Sequence, residues 1–252
     1  MEETRKTFSK RVKEINLYYN VLKQLNNEVI NKSLRNNVKT SKKYKQEVFL
    51  KILKANALLM IYNLVESTVL NGIQEIHNKL KDRDLPYSKV RQEIKDIWFS
   101  YKFEEAYDQE SHFHTYKDKA MDIVTSIITN KKIELGKKAV NISGNLDAQQ
   151  IHNVCKKHGI KFSTSKNCKG GIKLTEVRDK RNGLAHGRLS FAECGRDYSF
   201  EELLKIKKQT YLFLKGLLKG MKKYYDDEAY LDASLASHQV ENSRRNRSRN
   251  GR

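Results

Sequence analysis

A chain of 252 residues carrying 50 Lys and Arg against 30 Asp and Glu has a formal charge of +20, far beyond what solubility requires. That excess points to a polyanionic partner: nucleic acid first, then an anionic membrane surface, then an acidic protein. The three cysteines, Cys155, Cys168 and Cys194, are odd in number and widely spaced, which supports neither a disulfide framework nor a zinc ribbon.

The length allows one domain or two small ones, with a core that needs no disulfides. A single proline, Pro86, permits long uninterrupted helices. The N-terminal MEETRKTFSKRVKE is charged where a signal peptide needs an apolar run. The apolar stretches read as too short for a membrane span. A cytoplasmic protein without a membrane partner is the expectation.

Residues 4–30 read as a helix, with Phe8, Val12, Ile15, Tyr19, Leu22 and Ile30 on one face. Residues 31–43 are polar and basic and read as a loop. A longer helix follows over 44–80. Its stretch from Ala55 to Val65 is apolar on more than one face, the mark of a central helix. Glu66 interrupts that stretch, and a carboxylate there either needs a partner, naturally an arginine, or sits on a wet edge.

Leu85-Pro86 opens a third segment, with proline suited to a first helical turn and Val90, Ile94, Ile97 and Trp98 on one face. His112 and His114 form an HxH pair without a third ligand, so a surface loop is a better reading than a metal site. A helix over 119–135 would use Met121, Val124, Ile127, Ile128 and Leu135. Asp147 reads as the cap of a short helix, with Gln150 completing a capping box and Gly159 stopping it. His152 and His158 on that helix are unconvincing ligands. Residues 160–171 read as loop or a short strand pair.

Leu174-Thr175 start the next helix, with Thr175 as N-cap. It leads into Arg181-Asn182-Gly183-Leu184-Ala185-His186-Gly187, with Arg178, Lys180 and Arg188 around it. Arginine is always charged and presents a planar fork to phosphoryl oxygens. Histidine both takes and gives a proton near neutrality. Together they suit chemistry on a phosphodiester. Ser199 and Glu202 make a capping box for the last long helix. Its near-heptad stripe Leu203, Ile206, Thr210, Phe213, Leu217, Met221 and Tyr224 must pack within this chain or against a partner. The end, SRRNRSRNGR, reads as a disordered basic arm whose Arg244, Arg245, Arg247, Arg249 and Arg252 bind nucleic acid without sequence preference, or as a solubilising tail.

RNGLAHG resembles the Arg–polar–spacer–His signature of the HEPN superfamily. Three further segments resemble its RiboL-PSP-HEPN-like (MAE_28990/MAE_18760-type) bacterial branch: MIYNLVESTV (60–69), ISGNLDAQQIHNVCKKHG (142–159) and LAHGRLSFAECGRDYSFEELLKIK (184–207). The resemblance implies an all-α helical bundle with long central helices and a short irregular insertion. One domain would span residues 1–230, and the basic tail residues 231–252. It also implies a metal-independent endoribonuclease of a bacterial defence or toxin–antitoxin system. Arg181 and His186 would be its catalytic pair and Asn182 the residue that orients them, with Glu66, Arg178 and Arg188 in support. The resemblance brings no metal and no cofactor. Its partners would be RNA, a second copy of the chain in a homodimer, and an acidic antitoxin or operon partner. A non-catalytic, RNA-binding or regulatory role is the alternative.

Overall fold

The structure is a computed structural model that describes residues 1–34, 40–104, 113–136, 139 and 144–232. The five tail arginines and His112 lie outside the described residues, as does the side chain of His114. Among the described residues the architecture is all-α, with eight α-helices and no sheet; the only pairings of extended backbone are two isolated bridges.

Two long antiparallel helices set the frame. α1 (Glu2–Leu34) lies along α2 (Thr40–Asp82). Both run further than expected, so the basic connector is shorter than residues 31–43. Phe8, Val12, Ile15, Tyr19, Leu22, Asn26 and Val29 are among the buried and half-buried positions of α1. Their 4-3-4-3-4-3 spacing is that of a coiled-coil seam. Ile30, expected on this face, falls off that register and is exposed.

At about 1.5 Å per residue, the 43 residues of α2 extend roughly 65 Å. The helix is apolar enough over residues 44–82 to meet the length and composition of a membrane span. This corrects the expectation that every apolar stretch falls short. Ala55, Ala57, Leu58, Ile61, Leu64, Val65, Val69, Ile73 and Ile76 are all buried within the bundle. The neighbours are α1, α6 (Ile172–Ala185), α7 (Phe191–Arg196) and α8 (Phe200–Asp226). A helix covered on several sides needs apolar residues all round.

The near-heptad stripe of α8 is buried inside this chain, from Leu203 to Tyr224. α8 meets α2 at Gly72, where a Cβ would lie 2.5 Å from Met221 Sδ. Lys207 ties α8 to α1: its ammonium sits 4.4 Å above the Tyr19 ring and donates to Asn16 Oδ1. The Ser199–Glu202 capping box forms as expected.

The insertion between α2 and α5 (Ala148–Lys157) holds a 3-10 turn (Tyr87–Lys89), α3 (Gln92–Glu104) and α4 (Phe113–Ile128). Pro86 precedes the 3-10 turn and bridges Lys132 instead of entering a helix. Arg91 pins the base of the insertion. Its guanidinium donates to Glu93, Gly159 O and Ala229 O. Trp98 and Ile94 are buried as expected. α4 departs from expectation in extent and in face. It ends at Ile128, and Met121, Val124 and Ile128 point outward. Ile123 and Ser126 are buried instead, with Ile127 half-buried, because α4 packs chiefly on α3 and only a narrow strip of it is covered.

Candidate functional site: the Arg181–His186 segment

α6 starts earlier than the sequence suggests. Residues 160–165 have no regular structure, the loop of the two expected alternatives, and lead into a 3-10 turn, Lys166–Gly171. Lys169, Gly170 and Gly171 all have positive φ (49°, 65° and 84°), and α6 leaves directly from Gly171. Thr175 is therefore inside the helix, not its cap. A Cβ on Gly171 would lie 2.8 Å from the Phe213 ring, so the turn sits hard against α8. Upstream, Asp147 caps α5 by accepting from the Gln150 N–H at 2.9 Å, and Gly159 ends that helix with φ +70°.

α6 buries Leu174, Val177 and Gly183. Its last turn carries the motif. The His186 N–H donates to Asn182 O at 3.0 Å, and Gly187 follows with φ +66°. The chain then folds back: the Arg188 and Leu189 N–H groups both donate to Gly183 O, and the Leu189 side chain fills the space a Cβ on Gly183 would need. Arg181 and Asn182 are half-buried at the helix end, while His186 and Arg188 stand exposed just beyond it. Neither of the two has a side-chain hydrogen bond or ion pair among the described residues.

The two arginines of α6 have different surroundings. Arg178 is held by the Asp147 carboxylate and by Asp179, with Nε and Nη2 at 2.9 and 2.8 Å from Asp179 Oδ1. The Asp179 hydrogen bond, joined by the charge of Asp147, holds this guanidinium even more firmly in its charged form. Arg181 has no carboxylate within ion-pair range among the described residues. Nη1 donates to the neutral Asn182 Oδ1 at 3.0 Å, and the guanidinium lies 4.8 Å from the centre of the Tyr62 ring.

Glu66 is half-buried one helical turn beyond Tyr62. It comes close to Arg181 without closing the expected ion pair. A Cβ on Gly144 would lie 3.4 Å from Arg181 Nη2 and 3.7 Å from Glu66 Oε1, so the Gly144 backbone sits over both groups.

Sequence reasoning missed three participants: Tyr62, Gly144 and Asn145. Asn145 Oδ1 accepts from Asn182 Nδ2 at 2.6 Å, 37 residues away in the chain. The Tyr62 hydroxyl donates to Gly144 O and accepts from the Leu146 N–H. Burial raises the Tyr62 pKa, so the phenol stays protonated. The available signal was the i, i+4 spacing of Tyr62 and Glu66 on one helix. α7 was also missed, although Ser190 and Glu193 form the same kind of capping box as Ser199 and Glu202.

The MAE_28990-like HEPN family model matches residues 1–230. The chain belongs to this HEPN family. Comparison with curated proteins and with solved structures gives no match. Membership supports nuclease or toxin activity on RNA in general terms.

Two further features of this HEPN protein bear on function. On α8, Lys205, Lys208, Lys215, Lys219 and Lys223 are exposed and have no carboxylate in ion-pair range among the described residues. At about 100° per residue they fall within an arc of roughly 80° opposite the buried stripe. The second feature is a pair of buried histidines. His158, at the end of α5, meets His77 of α2. His152 instead stacks on Phe162, with ring centres 4.5 Å apart. Among the described residues no three His, Cys, Asp or Glu side chains cluster as metal ligands do. Cys155, Cys168 and Cys194 are buried free thiols. A mainly apolar cleft between α1 and α2, lined by Leu25, Val29, Phe49, Leu50 and Leu53 with Glu28 and Gln46, contains none of the motif residues.

Proposed function

We propose that this HEPN protein is a metal-independent endoribonuclease of a bacterial defence or toxin–antitoxin system, acting in the cytoplasm. The observation that carries the reading is the state of Arg181. It is half-buried and oriented by a neutral amide and an aromatic face, and although Glu66 lies near it, no carboxylate among the described residues is in ion-pair range to occupy its N–H groups. A fixed planar donor of this kind suits the charge that develops on a phosphoryl group in the transition state.

In this reading the RNA supplies its own nucleophile. The 2′-hydroxyl attacks the adjacent phosphorus, and the P–O5′ bond breaks. The products are a 2′,3′-cyclic phosphate and a 5′-hydroxyl. His186, exposed at the end of α6, takes the proton of the 2′-hydroxyl or delivers one to the leaving 5′-oxygen. Separate base and acid groups favour in-line cleavage. A homodimer whose interface includes residues 181–187 would supply the second histidine, and light scattering at assay concentration tests for it. An active, strictly monomeric protein would end the dimer proposal. The unpaired lysines of α8 and the arginines of the tail would track the RNA backbone. The charge of the chain also fits an acidic antitoxin as the neutralising partner.

A second reading, a non-catalytic RNA-binding or regulatory role, is favoured by one observation: no side chain among the described residues orients the His186 imidazole. The deciding experiment is incubation of the protein with RNA in EDTA. Fragments ending in 2′,3′-cyclic phosphate support the nuclease. Activity that disappears in EDTA and returns with a divalent metal would sink the proposed chemistry.

A further inference from the structure

Residues 144–147 lie across the Arg181 face of α6 like a clasp, and each is held in place. Gly144 O accepts from the Tyr62 hydroxyl, and the Leu146 N–H donates to that hydroxyl's own oxygen at 3.3 Å. Asn145 bonds Asn182, and Asp147 bonds Arg178.

The hydrogen-bond roles run in one direction from Arg181. A guanidinium only donates, so the group of Asn182 facing it at 3.0 Å must be the carbonyl oxygen Oδ1. The Asn182 Nδ2 must then face away and donate, and the Asn145 atom 2.6 Å from it must be an acceptor. If the Asn182 amide were flipped, its NH2 would confront the arginine. Asn145 therefore holds the amide in the orientation Arg181 requires. Tyr62 makes a second contact with the same guanidinium. Its ring lies against the cation, and its hydroxyl fixes the backbone on either side of Asn145.

We propose that Asn145 and Tyr62 are positioning residues. They lock the Arg181 guanidinium, through Asn182 at Nη1 and through the Tyr62 ring that its carbon lies over, so that its remaining N–H groups point at a phosphodiester. The proposal rests on the ribonuclease reading for its consequence in turnover, but not for the lock itself. An unlocked arginine regains rotamer freedom and must be ordered again in each transition state. Loss of the lock therefore lowers kcat by roughly 10- to 100-fold and leaves KM nearly unchanged.

The test compares Asn145→Ala, Asn182→Ala, the double variant and Tyr62→Leu in steady-state cleavage of RNA. Asn145 is exposed, so its alanine variant should fold even if the Tyr62 variant does not. Asn145 acts through Asn182, so the double variant should be no worse than the poorer single one. Additive losses, or an unchanged kcat in Asn145→Ala, would overturn the proposal. A second arm needs no activity. The NMR signals of the Arg181 Nη–H groups should be resolved in the wild type and averaged by rotation in Asn145→Ala. Averaged signals in both proteins would also overturn it. If the wild type does not cleave RNA, the ribonuclease reading falls, and the Arg181 signals alone decide the lock.

Discussion

The Nε2 atoms of His77 and His158 lie 3.0 Å apart in the core, with ring centres 5.2 Å apart. His158 Nδ1 lies 2.8 Å from Val154 O and must donate to it, which leaves its Nε2 as an acceptor. His77 Nε2 therefore carries the proton, and His77 Nδ1 is a buried acceptor without a hydrogen-bond partner among the described residues. Both rings are neutral. Burial, reinforced by the neighbouring ring, lowers the His77 pKa to about 3, and burial lowers that of His158.

Acid should therefore weaken the fold well above the range where carboxylates titrate. Below pH 6.5 the unfolded chain binds protons that the folded core refuses, so the stability present above that pH is lost as pH falls. With its pKa lowered to about 3, His77 alone costs about 2 kcal/mol between pH 7.5 and pH 5, and His158 adds to the loss in the same direction. Urea midpoints measured at both pH values should fall steeply in the wild type. They should fall less in His77→Gln/His158→Gln, which keeps polar groups without titrating ones. Equal falls in the two proteins would remove the histidine pair as the cause.

His186→Ala removes the proposed proton carrier and leaves Arg181 and the basic surface in place. Cleavage should drop by at least about 10²-fold, with RNA affinity nearly intact. Arg181→Lys keeps the charge but loses the planar fork, and turnover should also fall sharply. Cleavage and binding measured side by side decide the roles. Wild-type turnover in either variant removes that residue from the mechanism. Parallel loss of binding and cleavage in both would turn the pair into a recognition site.

The basic surfaces predict a salt effect. If Lys208, Lys215 and Lys219 each contact a phosphate, changing all three to Gln should make the slope of log Kobs against log salt shallower by about 2. Deleting residues 243–252 removes five arginines and should have a separate effect of the same sign. Cleavage positions should hardly change, because phosphate contacts orient without specifying sequence. A slope unaffected by the lysine changes would leave that face as ordinary solvated surface.

Gly195 places the backbone of α7 directly on α2. A Cβ there would lie 1.8 Å from Lys51 O, a main-chain atom that cannot swing aside. Gly195→Ala should lower stability by more than the 1–3 kcal/mol typical of overpacking. Gly170→Ala, at φ +65° where a Cβ would meet nothing within 4 Å among the described residues, should cost only about 1 kcal/mol of backbone strain. Thermal melts of the two variants should differ clearly in midpoint. Similar midpoints would mean that α7 slides on α2 without cost.

Much of the bundle was legible in the chain itself. The heptad seam of α1, the stripe of α8, the all-round apolar stretch of α2 and the Ser199–Glu202 cap are local patterns, and local patterns report which face a helix buries. The Arg181–His186 hexad was legible for the same reason, since its spacing lies within one helix end. Other features depend on what packs against what, and only the tertiary structure decided those. The face of α4 is one case: a helix covered along a narrow strip need not bury its most apolar side. The apolar length of α2 is another, because the same composition serves a bilayer or a bundle core. The surroundings of Arg181 are the third. Glu66 was the natural partner by charge, yet the contacts come from Tyr62 and Asn182, with Asn145 behind. Those side chains converge only after α2, α6 and residues 144–147 have packed, and such distant pairings leave no periodic mark on the sequence.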